Sequence, residues 1–210
     1  MKRDESEHVF INCPFDDDYA GLLYAMIFTI VSLGYYPRLS LDSSNATITR
    51  IEKITALIQD CTYCIHDLSR IKATAEGEYF RMNMPFELGM DFGYTKYSNA
   101  PGAEKRKTLI LGDIQYEYIK ALSDLSGIDI LYHKNDAMEL IKWVRNWFVQ
   151  NIPLKGAPSS RDIWYRYADY NTEFKVFANE CGCEENGIYD IPMNERIDHM
   201  YKFLEKNPYQ

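Results

Sequence analysis

Short apolar runs alternate with longer segments of helical periodicity along the first 150 residues of the chain. The apolar runs predict five buried strands, at residues 8–12, 35–41, 62–66, 108–112 and 128–132. Apolar residues with helical spacing follow each run, at 20–33, 47–60, about 85–97, 115–125 and 137–150. This alternation favours a doubly wound α/β fold of the flavodoxin or Rossmann type, with a mainly parallel five-stranded sheet.

The last quarter of the chain has a different pattern. Residues 152–160 are rich in Pro, Gly and Ser and predict a linker, and residues 163–181 and 195–206 predict two helices rich in Tyr and Phe. Two helices are too few to form a sizeable core alone, so we expect them to pack on the main domain or on a second copy of the chain. We therefore predict an α/β domain at 1–152, a helical extension at 153–210, and a homo-oligomer.

Charge and hydropathy indicate whether the chain binds a membrane or nucleic acid. The uncharged run at 19–37 is broken by Gly34-Tyr-Tyr-Pro37, and its helical part is shorter than the ~20 residues that cross a bilayer, so no membrane span is expected. The first residues lack the apolar region of a secretory signal, which predicts a cytoplasmic protein. With 23 basic and 31 acidic residues the net charge is −8, which disfavours binding to nucleic acid.

Five cysteines, an odd number, do not indicate a disulfide framework. Cys61 and Cys64 with Cys181 and Cys183 would allow a four-thiolate zinc site, but buried free thiols are the default expectation. The phosphate-binding loop, the dinucleotide fingerprint, the nucleophile elbow and the zinc-protease spacing are all missing from the sequence. We expect no cofactor and no metal, which leaves carboxylate chemistry.

The segment from Arg81 to Tyr94 predicts a helix start with an acidic group. Pro85 suits the first helical turn, and Asn83 ahead of it would accept a hydrogen bond from a free backbone N–H. Glu87 would then lie in the first turn, at the positive end of the helix dipole. Gly89 and Gly93 would let this helix press close to the sheet. A dipole-stabilising Glu87 without chemistry is the plainer interpretation.

Polar residues follow several predicted strands. Asn12, Asp42, Asp67 and Glu87 all lie just past a strand or at a helix start, so they would gather at the carboxyl edge of the sheet, where such folds bind ligands. Glu87 and Asp67 would divide a displacement at a sugar carbon between them, one attacking C1′ and the other assisting the departing base. The plainer roles are a turn start for Asp67 and a loop cap for Asn12.

Further side chains could complete a nucleotide site. Asn12, Asn83 and Ser69 would hydrogen-bond the ribose or the base. A phosphate would be neutralised by one of three arginines, Arg50, Arg70 or Arg81. His66 could act in acid–base work at the end of its strand, but a structural role is the plainer interpretation, and the sequence predicts no cluster for the other three histidines.

Three motifs resemble a known family. Pro85-Phe-Glu-Leu-Gly89, placed after a strand that ends in Ile65-His-Asp-Leu-Ser69, is similar to the helix start of nucleoside 2-deoxyribosyltransferases. Their wider superfamily includes nucleotide N-glycosidases and TIR-like NAD-cleaving domains. The resemblance implies that Glu87 is the nucleophile and that Asp67 contacts the base. It also implies that Val9-Phe-Ile-Asn-Cys-Pro-Phe15 lines the sugar pocket, which adds Phe15 to the candidate site.

The resemblance extends over roughly residues 9–112 and includes a departure. The transferases carry an Asp shortly before the motif, where this chain has Arg81-Met-Asn83, so their sugar selectivity is not transferred and hydrolysis is favoured over transfer. The expected substrate is a nucleoside, a nucleotide or NAD, and a setting in bacterial defence or signalling is implied only by the resemblance. A non-catalytic nucleotide sensor is the alternative, and an assembly scaffold is a third.

Overall fold

The computed structural model describes residues 7–41, 46–73, 76–77, 79, 82–100, 102–183 and 190–209. The chain forms two compact units, one made of Met1–Pro14 and Tyr36–Lys134 and the other of Phe15–Tyr35 and Asn135–Gln210. The first contains the β-sheet, and the second is helical. The predicted domain division at residue 152 stays a prediction.

The sheet unit contains five strands among the described residues: β1 His8–Asn12, β2 Tyr36–Leu39, β3 Tyr63–Asp67, β4 Lys107–Gly112 and β5 Leu131–Tyr132. Every pairing is parallel, and the strand order is β2-β1-β3-β4-β5. The predicted α/β fold with a parallel five-stranded sheet is therefore confirmed. In this order the direction of winding reverses between β1 and β3. Sheets of this kind bind ligands at such a point, outside the carboxyl ends of the strands.

The described residues also form six α-helices: α1 Asp17–Ser32, α2 Arg50–Asp60, α3 Asn83–Tyr97, α4 Ala137–Asn151, α5 Ser160–Cys181 and α6 Met193–Lys206. In the sheet unit, α2 and α3 pack on β1, and α3 also packs on β3. Helix α2 begins at a capping box in which Thr49 and Glu52 satisfy each other's backbone N–H groups. Its buried side is Ile54, Leu57 and Ile58, whereas Ile51 is 43% exposed.

The prediction of a helix at 115–125 is wrong. Two short 3₁₀ turns, Glu117–Lys120 and Ser123–Leu125, connect β4 to β5 instead. Tyr116 has a left-handed backbone (φ 63°) and Leu122 lies outside the helical region, so the backbone cannot continue as one α-helix through this segment.

The helical unit has its own aromatic core. Helix α1 is buried on nearly every side, and Phe28 of α1 contacts Tyr167 and Tyr170 of α5 and Phe203 of α6. Arg196 of α6 lies buried among these helices, with its guanidinium 3.3 Å from the ring centroid of Tyr24. Among the described residues, no helix has both the length and the apolar character needed to cross a bilayer.

Candidate functional site

The buried face of α3 carries two acidic side chains. Its buried residues are Met84, Glu87, Leu88 and Asp91, which follow the i, i+3, i+4, i+7 spacing of one helix face. Such a stripe is ordinarily apolar. Here half of it consists of carboxylates, so the environment of each carboxylate must explain how it is tolerated.

The start of α3 differs from the prediction. Met82 is already in the right-handed helical region and makes no side-chain cap, so the helix begins at Asn83. Asn83 is therefore a helical, exposed residue and not the cap, and Pro85 is the third residue, where its missing N–H still costs nothing. Glu87 is the fifth residue and lies beyond the first turn. Because the dipole effect fades after that turn, the dipole does little to stabilise the ionised form of Glu87.

The predicted role of the two glycines of α3 is wrong. A Cβ added at Gly89 or Gly93 would meet no neighbouring atom within 4 Å. Gly89 is exposed and Gly93 is half-buried, so neither provides a close approach to the sheet.

Glu87 is buried but has little to compensate its charge. Its residue is 4% exposed, and it makes no hydrogen bond to a described residue. The nearest charged group among the described residues is the half-exposed Arg50 at the start of α2, with Nη2 3.9 Å from Oε1. Burial raises the pKa of Glu87 to about 7, although the charge of Arg50 acts in the opposite direction. Such a carboxyl exchanges its proton near neutral pH.

Asp91 is buried more completely and fully compensated. Oδ1 accepts hydrogen bonds from Nε (3.2 Å) and Nη2 (2.5 Å) of Arg106, and Oδ2 accepts from Oγ1 of Thr108 (2.8 Å) and Nε2 of His66 (3.3 Å). Burial alone would raise the pKa of Asp91, but His66 and Arg106 outweigh it and hold the pKa well below its usual range. Asp91 is therefore ionised and acts as a structural anchor.

Asn12 connects β1 to both β3 and α3. Its amide nitrogen donates to the carbonyl of Met84 (2.9 Å) and lies 2.9 Å from Nδ1 of His66. Because an amide N–H₂ can only donate, Nδ1 of His66 is the acceptor, and Nε2 carries the ring proton that faces Asp91. Asn12 is 2% exposed, so its nitrogen is committed inside the protein. A contact from Asn12 to a sugar stays a prediction.

Cys64, His66 and Asp91 place metal-type ligand atoms within 4.8 Å of one another. The guanidinium of Arg106 already supplies a cation there, since Nη2 donates to Sγ of Cys64 (2.7 Å) as well as to Asp91. Burial and the charge of Asp91 raise the pKa of the Cys64 thiol, which keeps it protonated. These three side chains therefore fit a buried ion pair between Asp91 and Arg106, and not a metal ion.

Asp67 belongs to a second buried cluster. Oδ1 of Asp67 accepts from the backbone N–H (2.8 Å) and the hydroxyl (2.5 Å) of Ser69, and Oδ2 lies 3.0 Å from Nε2 of His133. The same Nε2 is 3.0 Å from Oγ of Ser69. A nucleophilic triad uses both ring nitrogens of its histidine, so this arrangement is not one. The prediction that His133 joins no cluster is wrong.

The two acidic candidates do not form a pair in this geometry. His66 and Asp67 are neighbours in β3, so their side chains point to opposite faces of the sheet. His66 contacts α3 through Asp91, which means that Asp67 points away from the helix that carries Glu87. The structure thus gives Glu87 a cation, Arg50, as its charged neighbour, and joint action with Asp67 stays a prediction.

The other predicted site residues are dispersed. Arg50 and Asn83 are exposed at the starts of α2 and α3, and Phe15 is half-buried in the helical unit. Asp42 and Arg81 lie outside the described residues. Two grooves, of about 180 Å³ beside α2 and about 620 Å³ beside α5, are not lined by Glu87. Burial and charge, and neither of these two grooves, therefore single out Glu87.

Sequence reasoning missed Asp91 and Arg106. The spacing from Met84 to Asp91 would have placed Asp91 on the buried face of α3, had the helix start been located correctly. Arg106 falls in the polar segment at 99–107, which predicts a surface connection, yet Arg106 is buried. No local signal identifies it, because its partners lie on α2, β3 and α3.

A scan against protein-family models found no match for this chain, and a search of curated proteins found no match either. The resemblance to nucleoside 2-deoxyribosyltransferases therefore rests on the quoted motifs alone.

Proposed function

We propose that the protein cleaves or transfers the N-glycosidic bond of a nucleoside, a nucleotide or NAD, with Glu87 as the reacting carboxylate. The observation that supports it is a buried acidic side chain without a hydrogen-bond partner among the described residues. Burying an uncompensated charge is costly, and carboxyls with raised pKa values concentrate at functional sites. The motif resemblance independently selects the same residue.

In this chemistry the ionised Glu87 attacks C1′ of the sugar. The C1′–N bond breaks and its electron pair leaves with the base, while a covalent ester forms between C1′ and the carboxylate. Water then attacks C1′, gives up a proton and frees the sugar and Glu87; a second base in place of water makes the reaction a transfer. Positive charge develops on the sugar in the transition state, and a poorly solvated carboxylate stabilises that charge strongly.

The surroundings of Glu87 favour a base that leaves without needing a proton. Among the described residues, the only charged group within 4 Å of Glu87 is the cation of Arg50, and Asp67 faces the other side of the sheet. A neutral purine or pyrimidine leaves well only when an acid protonates it. A cationic base such as the nicotinamide of NAD already carries the charge that departure neutralises. NAD is therefore the preferred substrate within the proposed class.

Arg50 suits the phosphate groups of such a substrate. Its side chain is 55% exposed, so it can face solvent while its Nη2 remains 3.9 Å from Glu87. A guanidinium binds phosphate oxygens through paired hydrogen bonds. The proposed site thus pairs a carboxylate for the sugar with a cation for the phosphate.

The test is release of free base from a panel of NAD, nucleotides and nucleosides, followed by chromatography. We expect release by the wild-type protein and loss of release in Glu87→Gln, which keeps the shape of the side chain but removes its nucleophilic charge. Glu139→Gln is the matched control, because Glu139 lies on α4 in an ion pair with Lys142 (3.0 Å). Equal release by wild type and Glu87→Gln, or no release from any compound, would contradict the proposal.

A nucleotide sensor without turnover is the second candidate, supported by the accessible cation of Arg50. It predicts saturable nucleotide binding by calorimetry without base release. Binding would persist in Glu87→Gln and weaken in Arg50→Gln.

A further inference from the structure

We propose that Asn12, Asp91 and Arg106 are positioning residues that hold α3 in the one rotation that buries Glu87 opposite Arg50. The inference rests on the proposed function only in treating Glu87 as the reacting group. It assigns to a polar network, in addition to the apolar packing of α3, the support of the site.

Helix α3 is weakly determined by its own sequence. It has no side-chain cap at its start, and it carries two glycines in its interior, which favour a helix less than Ala does. Only two of its apolar residues, Met84 and Leu88, are fully buried, whereas Met90, Phe92 and Tyr94 are partly buried against the core. Partly buried side chains restrict the rotation of a helix about its axis less than fully buried ones do, and a turned helix would place its own charges in water.

Polar contacts hold this face at two points. Asn12 donates to the carbonyl of Met84, and Arg106, Thr108 and His66 all bind the carboxylate of Asp91. Met84 and Asp91 are seven residues apart, which is about 10 Å along the helix. Two attachments on one face prevent the helix from either turning or sliding. Glu87 lies between them.

The same arginine also holds the helix that carries Arg50. Nη1 of Arg106 donates to the carbonyls of Ile58 and Cys61 at the end of α2, while Nε and Nη2 bind Asp91 of α3. Arg50 is the first residue of α2. Arg106 therefore fixes the helices of both members of the Arg50–Glu87 pair. In the described part of the structure it makes no hydrogen bond or ion pair with either side chain, so it acts through the two helices.

The experiment measures the pKa of Glu87 directly by carbon-13 NMR of its side-chain carboxyl, assigned with Glu87→Gln. The first variant is Asn12→Ala, which removes the attachment at Met84. The second is the double variant Asp91→Leu with Arg106→Met, which removes the other attachment without leaving a buried charge unpaired and so protects the fold. Thr29→Val is the control, since it removes a buried hydrogen bond (2.7 Å to Ala25 O) in the helical unit.

We expect the pKa of Glu87 to fall by about one unit or more in both test variants and to stay unchanged in the control. Where base release is established, kcat should also fall by about 10²-fold in the test variants, with a smaller change in KM. An unchanged Glu87 pKa in folded test variants, or an equal fall in Thr29→Val, overturns the inference. If wild type releases no base, the proposed function fails, but the NMR titration still decides whether the network positions Glu87.

Discussion

Glu87 and Asp91 lie one turn apart on the same buried face of α3, yet the pKa values of their carboxyl groups are shifted in opposite directions. Asp91 receives four hydrogen bonds from three side chains, and its pKa lies well below the usual range. Glu87 faces one distant guanidinium, and its pKa is raised to about 7. Burial is common to both. The two carboxylates differ in the number of hydrogen-bond donors and positive charges around them.

The contrast separates a structural carboxylate, Asp91, from Glu87, which we propose as the reacting group. Opposed pKa shifts in neighbouring acids commonly mark a division of roles. Asp91 anchors α3, and the pKa of Glu87 of about 7 suits the role that we propose for it. On this proposal, a single helix face both anchors the fold and carries the reacting group.

The largest expected effect on stability comes from a substitution of Asp91, the carboxylate whose charge is compensated. Asp91→Asn leaves the guanidinium of Arg106 buried without its counter-charge, so we expect a loss of about 3–5 kcal/mol in the free energy of unfolding. Urea denaturation at neutral pH measures this. The double variant Asp91→Leu with Arg106→Met should recover most of the loss, and a single variant as stable as wild type would contradict the assignment.

Removing the charge of Glu87, the uncompensated carboxylate, should have the opposite effect and stabilise the protein. The pKa of Glu87 rises on folding from 4.5 to about 7, so the folded state binds this proton more tightly and loses stability as pH increases through that interval. The loss corresponds to about 3 kcal/mol. Glu87→Gln should be more stable than wild type at pH 8 by roughly this amount, and equally stable near pH 4. Denaturation curves at the two pH values would show a constant difference if the assignment were wrong.

The pH dependence of catalysis sharpens the role of Glu87. If its ionised form attacks the sugar, kcat/KM for base release should rise tenfold per pH unit below about 7 and level off above it. A fall of kcat/KM above pH 7 would instead identify Glu87 as an acid. The profile in the free enzyme is measured from initial rates at substrate concentrations well below KM.

Arg50 should give the smallest effect. Its side chain is half exposed, so Arg50→Gln is expected to change stability by no more than about 1 kcal/mol. Removing its charge should raise the pKa of Glu87 further, because Arg50 acts to lower it. NMR titration of Glu87 checks the direction, and KM should rise for phosphorylated substrates but not for nucleosides. A lower Glu87 pKa in this variant would contradict the pairing.

Local sequence signals predicted the parts of the fold that depend on neighbours in the chain. The apolar runs located β1, β3 and β4 to within a residue or two. The signal failed between β4 and β5, because the backbone at Tyr116 is left-handed. At α3 it placed Glu87 near the helix start but misplaced the start itself.

The sequence by itself determined a parallel α/β sheet and an acidic residue within the first two turns of α3, because strand burial, helical spacing and Pro85 act over a few residues. Only the tertiary structure decided that Asp91 is compensated while Glu87 is not, and that Asp67 is joined to His133, 66 residues away in the chain. Charge compensation depends on which side chains meet across the fold. Arg106 shows this most clearly, since nothing near it in the chain indicates that α2, β3 and α3 surround it.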